Sequence, residues 1–545
     1  MIKQLISFAC CLLPIGAGAA VVVNPEGSNA FVSTTQDAWV NAGGASITIN
    51  SPQVISLVAD NGFTMPGAMY VGASDNQGSQ DGNLYVLNTV GAGTKTFTVS
   101  NGGAVSIGTM LQVLDGWTLG LRGTTTGATF NFGEINNSGS IVAQNALEFT
   151  SGAIVNNGVL DIVTEDDIDV GAVAVNSGNV NLTAGLALDM DGFVNNANTT
   201  NVIDAGTNLQ VAGTVQNNAG NLNIVAGGDI DIYDNLENSG AGLSVRADSL
   251  VVDGTMKNDA ADGNLTLNLD SWTVAGGDEG TYSFVNNGNF DAVVSGTTYL
   301  AYGMNLSGMA VDNSFSLDTG ELEFGPGASS DTWFSAFSNK LNNFNLAVRD
   351  GDINLVAYET GILNGADGNT DADMSLLAQN VYVTNVRNNG AKLVIKAADL
   401  DSGYDVVQPA VVTVVGNIGV LNQVVGAAGS ETQLIASNRL MIRGAVSNSG
   451  NMTLNSNNVE ISANGDNAVL ASVSNSGAGA VLNIKSLTDR SGVVVIEGNL
   501  TNTDGVVNVN AKNIAIGGTL INNSGTMNVV GSDFDDSSVF FGGLN

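Results

Sequence analysis

An all-β fold is what this sequence predicts, specifically a right-handed parallel β-helix with three sides and about twenty residues per coil. Three observations point there: an asparagine-glycine phrase that recurs on a fixed period, short apolar alternations between its occurrences, and a composition suited to repeated tight corners. The phrase is clearest in NNAGNLNIVAGGDIDIYDNLENSG at 217–240. Its anchor asparagines stand at Asn136, Asn156, Asn176, Asn195, Asn217, Asn238 and Asn258, and again at Asn448, Asn475, Asn502 and Asn522. The first intervals are 20, 20, 19, 22, 21 and 20 residues, too short for a pair of helices and right for one coil of strands.

Within a coil, residues alternate with period two, as a strand with one buried face requires. After each corner comes an apolar pair such as Leu160/Ile162, Val180/Leu182, Leu222/Ile224 or Leu243/Val245. A second pair follows at Ile168/Val170, Leu186/Leu188, Leu209/Val211, Ile230/Ile232 and Leu250/Val252. A third apolar position precedes the next asparagine, at Val155, Val175, Val194, Val215 and Leu236. Three such runs per period describe a three-sided tube. Its corners need left-handed backbone angles, which glycine and asparagine adopt most cheaply, and stacked asparagines can hydrogen-bond from coil to coil. The 70 glycines and 6 prolines fit this scheme, because proline would remove a ladder donor wherever it entered.

The chain divides on the same reasoning. Residues 1–20, with Lys3, an apolar run and Ala17-Gly18-Ala19, read as an export signal. Residues 21–130 lack the asparagine period and are expected to form an N-terminal cap with irregular first coils. Regular coils occupy 131–280 and 381–531; between them, 281–380 is divergent, rich in aromatics and interrupted by loops. The segment 532–545 is expected to be a loose acidic tail. The only cysteines, Cys10 and Cys11, lie in the signal, so a processed chain would carry no disulfide.

Charge narrows the function. Lysine and arginine number 15 against 51 acidic residues, for a formal charge of -36, so nucleic acid is not an expected partner. One reading of the acid is a solvated coat. The sharper reading is calcium, because acidic residues recur at similar coil positions, at Asp167, Asp169, Asp189, Asp229 and Asp231. Aromatics gather between 282 and 344, where Tyr299, Tyr302, Trp333, Phe334 and Phe337 are candidates to grip a carbohydrate or protein partner. The alternative there is a local plug in which inserted loops pack over the tube. No catalysis is expected: the chain has no histidine, and no serine in a nucleophile elbow. Basic residues in the regular coils, such as Arg246, Lys392 and Arg439, share no coil position.

GNLNIVAGGDIDI at 220–232 and GVVNVNAKNIAIGG at 505–518 look like haemagglutinin-type repeats. On these stretches the sequence resembles the secreted β-helix proteins of Gram-negative bacteria, the filamentous-haemagglutinin-like adhesins and autotransporter passenger domains. The resemblance implies export through an outer-membrane pore and display at the cell surface or release. It also implies adhesion to a glycan or protein on a host or neighbouring cell, with self-association as a further property. A structural surface-layer or matrix component assembling with calcium is the alternative, and a polysaccharide-degrading β-helix enzyme a more distant one. No other cofactor is expected.

Overall fold

The computed structural model describes side chains over residues 68–71, 105–123, 128–277, 282–325, 338–353, 361–398, 417–463, 471–486 and 492–531, and backbone alone for strands within 21–104 and at 354–355 and 538–541. The export signal expected at 1–20 and most of the tail expected at 532–545 lie outside the described residues. The fold is an all-β parallel solenoid whose turns are about 22 residues apart. Two compact units, residues 1–266 and 267–545, make up the chain.

In the first unit the coils stack on three sides, and single strands such as Ile168–Val175 and Leu188–Asn195 run across two of them. On the first side Val159–Thr164, Asn179–Ala184, Thr200–Ala205 and Asn221–Ala226 pair in parallel, stacking Ile162, Leu182, Ile203 and Ile224. On the second side Ile168, Leu188, Leu209, Ile230 and Leu250 form one inward column. The third side stacks Ile154, Val173, Phe193, Val215, Leu236 and Met256. All of these are essentially inaccessible to water. Each such residue contributes about 1.5–3 kcal/mol of apolar burial, so the columns are the main stabilising term. The strands before residue 104 already pair in parallel, Asn29–Thr34 with Val54–Ala59 and the latter with Lys95–Asn101.

Two sequence-based assignments shift by one residue and a third by two. Val155 and Val194 point outward, and Ile154 and Phe193 take the inward positions. The reason is parity: Asn156 and Asn195 themselves point inward, so the inward apolar residue must lie two positions before them. Leu186 is likewise exposed, and Leu188 with Met190 is the buried pair on the second side.

The asparagines form a ladder inside the tube. Asn137 donates to Asn156 at 2.7 Å; Asn195 donates to Asn217 at 2.7 Å, Asn217 to Asn238 at 2.8 Å and Asn238 to Asn258 at 2.8 Å. Asn136 and Asn176 are not rungs. Asn137 holds the first position, and Val175 occupies the register between Asn156 and Asn195. At that coil the corner is closed by Gly178 at φ +73°, where an added Cβ would lie 1.8 Å from the Gly158 carbonyl oxygen. No side chain fits between glycine corners stacked this closely.

The second unit repeats the plan with a different filling. Phe290, Phe315 and Phe344 stack in register, with ring centroids 5.2 and 4.9 Å apart, and the column continues through Met374, Leu393 and Thr432 to Met452. Trp272 meets Phe284 edge-on at 5.2 Å. The ladder runs Asn339 to Asn364 to Asn388, at 2.8 and 2.9 Å. Gly426 then replaces a rung, and the ladder resumes from Asn448 through Asn475 and Asn502 to Asn522. Coils therefore persist through the region where the sequence period falters. One short 3-10 turn, Ala366–Gly368, is the only helix among the described residues, and none there is long and apolar enough to cross a membrane.

Candidate functional site

With the interior filled by apolar columns and amides, any site must be built on outward-facing columns. The second side of the first unit carries the acidic candidates. Asp169 and Asp189 are register neighbours on adjacent coils, but Gln210 follows Asp189, then Asp231, then Val251. The row is thus a pair and a single carboxylate separated by an amide. Burial pushes the Asp189 carboxyl above its ordinary range, and the nearby Asp169 and Asp167 charges push it the same way. Burial also raises Asp231, with Asp229 and Asp253 adding repulsion.

Asp167 has a structural engagement of its own: its Oδ1 accepts the Ala187 N–H at 3.0 Å, closing the corner of the next coil. Asn208 does the same on a later coil, accepting the Asp229 N–H at 3.1 Å. Asp229 lies opposite Ser249. Calcium requires six to eight oxygens. The adjacent Asp169 and Asp189 offer two carboxylates on an open face, and among the described residues no group of three or more acidic side chains is arranged to hold a metal ion. A bound calcium would complete its shell with water.

The aromatic candidates divide. Tyr299 and Tyr302 lie on the outside, each half-buried. The Tyr302 ring lies across Gly277, whose φ of +128° and missing side chain make room for it: a Cβ there would fall 2.8 Å from the ring. The Tyr302 N–H donates to Ser283 Oγ at 2.9 Å, and that hydroxyl donates to the Gly276 carbonyl at 2.7 Å. Tyr299 stands opposite Glu323 of the next coil, with its hydroxyl over Gly325. Trp333, Phe334 and Phe337 lie outside the described residues. Phe284, Phe290, Phe315 and Phe344, which belong to the same aromatic cluster of the sequence, are core residues and do not contribute to any surface. Hydropathy and density could not separate the two groups. Strand parity could have, because Tyr299 falls between the inward Thr298 and Leu300.

Close by, a cavity of about 200 Å³ is lined by Leu306, Leu341, Phe344 and Ala366, with Lys340 and Asp367 among its polar members. The Lys340 ammonium donates to the Ser307 carbonyl at 2.7 Å.

Outward amides form ladders too. Asn218 donates to Asn196 at 3.0 Å, and in the second unit Asn528 donates to Asn508 and Asn508 to Asn483, both at 2.9 Å. These run from later coil to earlier, whereas every inner rung donates from earlier to later. Of the inner rungs Asn339, Asn364 and Asn388, sequence reasoning marks only Asn388, in Asn388-Asn389-Gly390. Asn364 carries the same signal, an asparagine one or two residues ahead of glycine, in Asn364-Gly365.

Compared with protein-family models, with curated proteins and with solved structures, the chain matches none.

Proposed function

We propose that this protein is a secreted or surface-displayed β-solenoid that acts as an adhesin, a rigid scaffold presenting a binding surface to a glycan or protein on another cell. The reading is non-enzymatic. The observation that carries it is the filled interior: apolar columns and amide rungs fix each described coil against its neighbours, leaving specificity to the outward columns and to the coils around Tyr299 and Tyr302. Half-buried tyrosines held over glycines are pre-ordered, so contact with a sugar or protein would cost little rotamer entropy. Export through an outer-membrane pore in a Gram-negative bacterium belongs to the same proposal, as an expectation from the repeats.

The test is excision of the divergent coils. The cut joins like to like: removing 284–385 puts Val386–Asn388 in the place of Phe284–Asn286, and in both triplets the first and third residues are buried, ending on an inward asparagine. The shortened chain should keep its β-sheet circular dichroism and lose attachment to cells or to a glycan array. Undiminished attachment would overturn the assignment, and release of reducing ends from an acidic polysaccharide would replace it with an enzyme.

The adjacent Asp169 and Asp189 favour a second reading, a surface-layer component cross-linked by calcium. On that reading chelation would disperse assemblies while leaving each chain folded, and Asp189→Asn would have the same effect.

A further inference from the structure

Among the described residues asparagine directly precedes glycine at four places, Asn157-Gly158, Asn287-Gly288, Asn364-Gly365 and Asn389-Gly390. Asparagine is chemically labile, and most so at this junction, because glycine has no β-carbon to keep its nitrogen from the preceding side-chain carbonyl. The four junctions are equal in sequence. The fold makes them unequal.

Two are closed. Asn364 is an inner rung with no exposure: its oxygen accepts from Asn339 at 2.8 Å, and its nitrogen donates to Asn388 and to the Ala372 and Lys392 carbonyls at 2.8–2.9 Å. The Asn287 carboxamide lies against Gly308, so close that a Cβ on that glycine would fall 1.7 Å from its Oδ1.

Two are open. Asn157 and Asn389 each follow a rung, Asn156 and Asn388, and because the rung points inward the residue after it points out. Both are exposed, and no hydrogen bond holds either carboxamide among the described residues. What restrains them is the glycine nitrogen. The Gly390 N–H donates to the Asn388 oxygen at 3.1 Å, whereas the Gly158 N–H reaches the Asn156 oxygen only at 3.4 Å. A proton held less firmly is removed more readily.

We propose that Asn157 is a site of spontaneous deamidation in the folded chain, with Asn389 a slower second one, and that the change loosens the coil in which it occurs. Water or hydroxide takes the Gly158 amide proton and the nitrogen bonds to Asn157 Cγ. The Cγ–Nδ2 bond then breaks, and the departing nitrogen takes up a proton and leaves as ammonia. Water adds to one carbonyl of the resulting succinimide: attack at Cγ opens it to aspartate, attack at the main-chain carbonyl to isoaspartate. Isoaspartate routes the main chain through the former side chain, adding one methylene between the rung Asn156 and Gly158. The corner has no room for it, since a Cβ on Gly158 would lie 1.9 Å from the Gly139 oxygen and one on Gly178 1.8 Å from the Gly158 oxygen. The rung bond from Asn137 to Asn156 and the Ser177 hydroxyl bond to the Asn157 carbonyl, both 2.7 Å, depend on that spacing. None of this depends on what the outward columns bind.

Peptide mapping with isoaspartate detection, on the 545-residue chain held in mildly alkaline buffer, should show conversion first at Asn157 and then at Asn389, with Asn287 and Asn364 slower than Asn157 by at least about tenfold. In urea the four rates should converge. Conversion at Asn389, Asn287 or Asn364 that keeps pace with Asn157 in the folded chain overturns the proposal, as does an Asn157 that stays intact when folded while the urea-unfolded chain converts. Hydrogen exchange reads the consequence. Amides of 137–160 should exchange faster in the aged chain, but not in fresh Asn157→Asp, which has the charge without the extra methylene, nor in aged Asn157→Gln. Equal protection in the aged and fresh unsubstituted chain, or an equal loss in either variant, overturns the loosening.

Discussion

At Asn217 one carboxamide serves three coils. Its oxygen accepts from Asn195, and its nitrogen donates to Asn238 at 2.8 Å and to the Gly242 carbonyl at 2.9 Å. A fully buried amide is costly unless every atom is paired, and here the pairing is complete. Asn217→Ala would orphan partners on both neighbouring coils, and its expected cost is about 3 kcal/mol, measured by chemical or thermal unfolding. The converse experiment uses the gap at Val175, which sits between the rungs Asn156 and Asn195. Val175→Asn should be tolerated to within about 1 kcal/mol because rungs wait on both sides, whereas Val211→Asn, in an apolar column, should lose about 3 kcal/mol. Gly178→Ala combines a left-handed φ with a collision against the Gly158 carbonyl, so it should cost at least about 2 kcal/mol.

Element by element, the sides of the coil differ in how their charges respond to acid. Asp189 and Asp231 have carboxyl groups raised above their ordinary range, chiefly by burial and then by neighbouring aspartates. A raised folded value means stability that is complete at pH below the unfolded value and lost as pH climbs through the folded one. Asp189→Asn should therefore raise the melting temperature at neutral pH, and the gain should vanish in acid. Glu460 runs the other way: burial would raise it, but hydrogen bonding and the charge of Arg439, with help from Ser462 and Arg443, hold it below its ordinary value. Its contribution is present above the unfolded value and lost as pH falls through the folded one, so Glu460→Gln should destabilise at neutral pH and become silent in acid. Much of this architecture was legible in the residues, because a period near twenty and alternation by two leave few other folds. The inward facing of Leu160, Ile162, Leu222 and Ile224 was readable directly. Which side Val155 or Leu186 would face was not, since that depends on whether the neighbouring asparagine points in or out. The aromatic cluster misled for a related reason: a phenylalanine column such as Phe290, Phe315 and Phe344 has the same composition as a recognition surface, and only register separates them.

For the molecule entire, charge and stacking set the balance. Three ion pairs occur among the described residues, Glu237–Lys257, Asp318–Arg349 and Glu460–Arg439, all partly solvated and each worth about 0–1 kcal/mol. Against them stands a net charge of -36 that repels itself. Added sodium chloride, which shortens the screening length to about 10 Å at 0.1 M, should then raise the melting temperature, and a fall would show that the ion pairs dominate. The inner ladder adds something charge does not. All its amides point from earlier coils to later ones, so each uninterrupted run is a file of aligned dipoles that polarise one another and strengthen with length. Val175 and Gly426 cut those files. They act as firebreaks: a front of unravelling that sweeps a run of rungs together should pause there, so that each unit comes apart in blocks bounded by a valine or a glycine rather than one coil at a time.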